Sequence, residues 1–117
     1  MVDLSTLLFS TVVALLFVHE LDAIRQREWR FFFAPFDVSD ETAYRVFTAL
    51  HAPLFVAVLW ALESTAFQLG FDAFAIAHGG VHAALRNHPL VAFDSRFSRT
   101  WIYGAALLGA VHLLVVL

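Results

Sequence analysis

The sequence predicts an all-α protein, an integral membrane bundle of four helices with its N- and C-termini both on the non-cytoplasmic side. Three observations carry that expectation: the composition, four apolar segments of membrane length, and a one-sided placement of arginine. The 117 residues are 61% hydrophobic and only 15% charged, outside the balance of soluble chains. A soluble domain of this size buries about two-thirds of its surface, so this much apolar side chain would leave large patches open to aggregation. A bilayer removes that problem, and the length is that of a single transmembrane domain over residues 1–117.

A spanning helix needs roughly 20 mostly apolar residues. Four segments meet or approach this: 4–24, 43–62, about 67–85, and 100–117. The first carries Asp3 where a secretory signal has basic residues, and no small-residue cleavage site precedes the HELDAIRQREWR run, so it is expected to be a retained span. The second contains Pro53 two residues after His51, which should kink the helix and free the carbonyl of Ala49. The third is the weakest, with Gln68, Gly70 and Asp72 near one end and Gly79-Gly80 in its middle.

Every basic residue is an arginine, and all seven flank the first and third connections. Arg25, Arg27, Arg30 and Arg45 border the first, Arg86, Arg96 and Arg99 the third, and the second connection and both ends have none. By the positive-inside rule those two connections face the cytoplasm, and both termini lie outside. The protein is thus expected in the cell membrane as a multi-pass chain. Trp29, Tyr44, Trp101 and Tyr103 at inner ends and Trp60 at an outer end suit interfacial belts.

Between the first two spans, residues 25–36 mix three Arg with Trp29, Phe31, Phe32 and Phe33, the composition of an amphipathic piece lying at the interface. Asp37-Val-Ser-Asp-Glu41 supplies capping side chains and first-turn carboxylates, so the second helix should begin near Ser39 or Asp40. Pro89 and Ser98 bracket the third connection, closing one helix and opening the next.

Several function classes fall away. With no cysteine in the chain, disulfides, thiolate metal sites and cysteine nucleophiles are excluded. The formal charge of −3 and the lack of a long basic patch argue against nucleic acid as a partner. There is no nucleotide-binding loop and no nucleophile elbow.

What the spans do contain is unusual. Five of the six histidines lie in them, at positions 19, 51, 78, 82 and 112, with Glu20 and Asp22 beside the first. Ionisable groups in a bilayer are costly and usually serve a function. At ~1.5 Å rise per residue, His19 and His51 each lie roughly 9 Å inside the nearest flanking Arg, Glu20 roughly 7.5 Å and Asp22 roughly 4.5 Å, with His82 at about 6 Å and His78 at about 12 Å. Polar groups from three helices therefore share one layer near the cytoplasmic face. His78 and His82 are i,i+4, and His19 and Asp22 i,i+3, so each pair shares a helical face. Imidazole and carboxylate converging in a bundle suit a divalent metal, Zn or Fe, with His19, Asp22, His51, His78 and His82 as candidate ligands. Gly79 and Gly80 would let a neighbouring helix or a substrate approach the backbone. Glu20, turned about 100° from His19, is the candidate general acid or base. Asp72 and His112 lie deeper, roughly 21 and 19 Å from the flanking Arg residues, as a candidate outer pair.

The run His19-Glu-Leu-Asp-Ala23, continued by Arg27-Glu-Trp-Arg30 and joined to His78-Gly-Gly-Val-His82, resembles a family of small prokaryotic membrane proteins of unknown function with a HELDA motif. The similarity covers most of the chain; it implies a four-span architecture and no particular activity. More loosely, the cytoplasm-side layer of His and Asp is similar to the zinc site of membrane ceramidase-like hydrolases, a likeness of site alone.

The expected function is that of a membrane-embedded metalloprotein. If catalytic, it would be a hydrolase or oxidoreductase acting on a membrane-soluble small molecule, with water activated by the metal in the hydrolytic case. Alternatives are a haem electron-transfer protein with His51 facing His78 or His82 as axial ligands, a non-catalytic accessory subunit whose polar layer fixes helix register, and a proton or ion pathway between the two layers. Four short helices barely enclose a site, so a homo-oligomer is also compatible.

Overall fold

The computed structural model describes residues 3–117. These form five α-helices, α1 (Leu4–Arg25), α2 (Trp29–Phe33), α3 (Asp40–Ala61), α4 (Thr65–Ala84) and α5 (Arg96–Val116), with no strand among the described residues. Each long helix opens on a side chain that accepts a hydrogen bond from a first-turn amide: Asp3 for α1, Ser39 for α3, Ser64 for α4 and Ser95 for α5. Such a cap satisfies one of the four amides that a helix start leaves unpaired.

The start of α3 falls where its capping residues place it. The start of α5 does not: the helix begins at Arg96, and Ser98, expected to open it, lies inside its first turn with its amide donating to Ser95 Oγ at 3.0 Å. Two serines at this spacing offer the same chemistry, and the earlier one gains a further turn of helix. The interfacial piece at 25–36 contains the short helix α2, whose aromatic side chains lie on α3, with Trp29 against Tyr44 at 5.4 Å and Phe32 stacked on Phe47 at 5.9 Å between ring centroids.

Three helices, α1, α3 and α5, are long and apolar enough to cross a membrane. The 20-residue α4 is long enough, but Gln68, Asp72, His78 and His82 lower its hydropathy. Its polar residues are turned inward: Asp72 and His82 are buried, while Phe74, Ile76 and Val81 are exposed.

Helix α5 packs against both α1 and α4. The seam is built of small residues, Ala75 and Gly79 on α4 facing Ala105, Ala106 and Gly109 on α5. A Cβ on Gly79 would stand 2.8 Å from that of Ala106, so glycine is what permits this approach. Gly80 meets nothing within 4 Å; only one of the two expected glycines serves the crossing. Phe9, Val13 and Val58 join α3 to α1.

Candidate metal centre

His19 sits on the buried face of α1 with 0% of its surface exposed. His78 and His82, one turn apart on α4, face it, the three rings lying 4.7 Å (19 to 78), 5.2 Å (19 to 82) and 4.5 Å (78 to 82) apart between centroids. One ring nitrogen from each lies within 4.8 Å of the other two. Both nitrogens of His19 and Nδ1 of His78 are buried without a hydrogen-bond partner, an arrangement that costs free energy unless something satisfies them. A tetrahedral zinc with Zn–N of about 2.0–2.1 Å needs nitrogens roughly 3.3 Å apart, so small side-chain rotations would close the set around an ion.

A carboxylate that spacing alone does not reveal approaches one of the three histidines, although it is outside the set whose ligand atoms all converge. Glu28 Oε2 lies 3.7 Å from His19 Nε2 and is itself buried and unpartnered. The backbone brings it there. After α1 the amide of Arg27 bonds to the carbonyl of Ile24 and that of Glu28 to the carbonyl of Ala23, the paired bonds of a Schellman stop. The residue that must turn left-handed is Arg27, with φ of 58°. An arginine there is strained by about 1 kcal/mol or more relative to glycine, and the turn it makes brings Glu28 back beside His19. Burial is the main cause pushing the Glu28 carboxyl up from its ordinary value to about 7, helped by the negative charge of Glu20. Phe93, from the connection before α5, covers the cluster, 5.2 Å from His19 and 5.0 Å from His82.

The other residues expected in the layer are placed differently. His51 uses both ring nitrogens, Nδ1 with the Phe47 carbonyl at 2.7 Å and Nε2 with Glu20 Oε2 at 2.5 Å. Asp22 is buried, but one of its oxygens accepts from Gln26 Nε2 at 3.3 Å, and it is not among the residues that converge. Glu20, His51, Glu28 and His78 together line a groove of about 400 Å³ whose other walls are Phe32, Phe47, Leu50, Leu54 and Phe74.

The outer pair is formed. His112 Nδ1 and Asp72 Oδ2 are 2.6 Å apart, both residues fully buried, and Ser5 Oγ meets His112 Nε2 at 3.1 Å. These residues come from α1, α4 and α5, so the contact ties three helices at the end away from the histidine cluster.

The fold and site define an all-helical protein with three apolar helices of membrane length and a cluster of three histidines whose ring nitrogens lie within 4.8 Å of one another. The chain belongs to the family of unknown function DUF6713, whose model matches residues 5–117. No curated protein and no solved structure matches it.

Proposed function

We propose that this chain is a multi-pass metalloprotein of the cell membrane, with α1, α3, α4 and α5 as four spans and both termini on the non-cytoplasmic side. Support for the fourth span is that α4, at 20 residues, is about 30 Å long and turns its polar residues toward the protein. Support for the orientation is the arginine distribution.

The site holds a divalent ion, zinc or iron, on His19, His78 and His82, with the Glu28 carboxylate as the fourth protein donor. Three imidazoles and one carboxylate are the donor set of such metals. The observation that carries the reading is the convergence of three ring nitrogens within 4.8 Å around a fully buried His19 that has no other partner. The apolar groove beside His78 suits a membrane-soluble substrate, with Glu20, held by His51, as the acid or base at its wall. The donor set keeps the analogy with ceramidase-like zinc hydrolases at the level of site chemistry.

The reading of a polar layer that fixes helix register fits the Glu20–His51 pair, which joins α1 to α3 by a hydrogen bond. It leaves His19 unexplained. A haem reading has no contact in its favour, since His51 spends both nitrogens elsewhere.

The test is metal analysis of purified protein beside the His78→Ala variant. The reading expects about one zinc or iron per chain, lost in the variant while the protein still folds. Absence of stoichiometric metal from the intact protein overturns it.

A further inference from the structure

A second cavity, of about 320 Å³, adjoins the histidine cluster, with His82 in its wall. Arg86, just past the end of α4, and Arg99, in the second turn of α5, line it together with Tyr103, and the remaining lining is apolar. No carboxylate lines this cavity, and among the described residues neither arginine forms an ion pair. Arg86 donates one guanidinium N–H to the Ala83 carbonyl at 2.7 Å, which fixes the group and leaves its other donors free. Two guanidinium groups and a phenol at one cavity, without a counter-charge, form a recognition set for an oxyanion, because the planar fork of Arg matches phosphate geometry.

We propose that this cavity is an anion site for a phosphate group, held by Arg86 and Arg99 with Tyr103 as an additional donor, at the His82 edge of the cluster. The inference stands apart from the metal reading, since no donor it uses is a candidate ligand. A further cavity, of about 250 Å³, is lined by Arg25, Arg27 and Arg30. There Arg30 already pairs with Asp40 at 2.9 Å, and no histidine lines it, so it is the weaker anion candidate. The phosphate has two possible sources, the head group of an anionic lipid and free phosphate, and both present the same charged oxygens.

The experiment uses the full chain in nanodiscs. In phosphatidylcholine discs, inorganic phosphate is titrated calorimetrically; in discs containing phosphatidylglycerol, native mass spectrometry reads the anionic lipid retained by the protein. Either saturable phosphate binding or selective retention of phosphatidylglycerol is expected, the first assigning a soluble ligand and the second a lipid. Whichever occurs should weaken at least about tenfold in Arg86→Gln/Arg99→Gln, as expected for loss of charged hydrogen bonds, and weaken with rising salt. Arg96→Gln, a charge loss on the same side that lines neither cavity, should leave it unchanged. Arg99→Lys keeps the charge without the fork and should bind with intermediate strength, which keeps the test decisive if the double variant does not fold. Binding of neither probe, or binding indifferent to these substitutions, overturns the proposal.

Discussion

Glu28 Oε2 stands 3.7 Å from His19 Nε2, both atoms buried and neither with a hydrogen-bond partner. The Glu28 carboxyl titrates near 7 in the folded chain against an ordinary 4.5. The folded state therefore binds the proton more tightly than the unfolded one. The stability tied to this proton is fully present below about pH 4.5 and is lost as pH rises to about 7, on the order of 3 kcal/mol in all. Metal-free protein kept in chelator should thus melt at a lower temperature at pH 8 than at pH 5. Glu28→Gln should flatten that difference; an unchanged pH dependence in the variant contradicts the assignment.

Arg27 holds the left-handed turn that delivers Glu28. Arg27→Gly should raise stability by up to about 1 kcal/mol or leave it level and preserve metal content. Arg27→Val, a β-branched residue at the same φ, should destabilise by about 1–3 kcal/mol and reduce metal retention. Thermal unfolding and metal analysis of both variants check the pair, and equal behaviour of Gly and Val removes the strain argument.

Gly79 lets α4 meet α5, since a Cβ there would come within 2.8 Å of Ala106. Gly79→Ala should cost about 1–3 kcal/mol through overpacking, and Gly79→Leu should also shift His78 and His82 and lower metal content. Gly80→Ala, with nothing within 4 Å of the new atom, should cost nothing by packing. The two alanine variants compared in one melting experiment separate a close crossing from a general need for glycine.

The buried Asp72–His112 pair tests the division between the two polar layers. Removing one partner of such a pair leaves the other uncompensated, at about 3–5 kcal/mol. Asp72→Ala should lower the melting temperature strongly, while the fraction that folds retains its metal, because Asp72 lies about 9 Å along α4 from His78. Loss of metal with unchanged stability contradicts that separation.

Much of this arrangement is legible in the sequence. Apolar runs mark the long helices, capping residues mark the start of α3, and arginine depth places His19, His78 and His82 in one layer. Depth does not give the angle of a helix about its own axis, however. His51 lies at the right level, yet α3 presents it to Glu20, and Asp22 shares a face with His19 while turning to Gln26. Glu28 escapes sequence reasoning for a different reason: it reaches the site through a left-handed stop at an arginine, where a glycine would have marked the turn. Two of the polar residues that lower the hydropathy of α4, His78 and His82, are the ones it contributes to the cluster.

The most direct test of the central claim is the X-ray absorption spectrum of the metal in purified wild-type protein. Three imidazoles and one carboxylate predict an all-N/O shell at about 2.0–2.1 Å for zinc with the multiple-scattering pattern of three histidines, falling to two in His82→Ala if metal is retained. A spectrum without imidazole scattering, or no bound metal to measure, contradicts it.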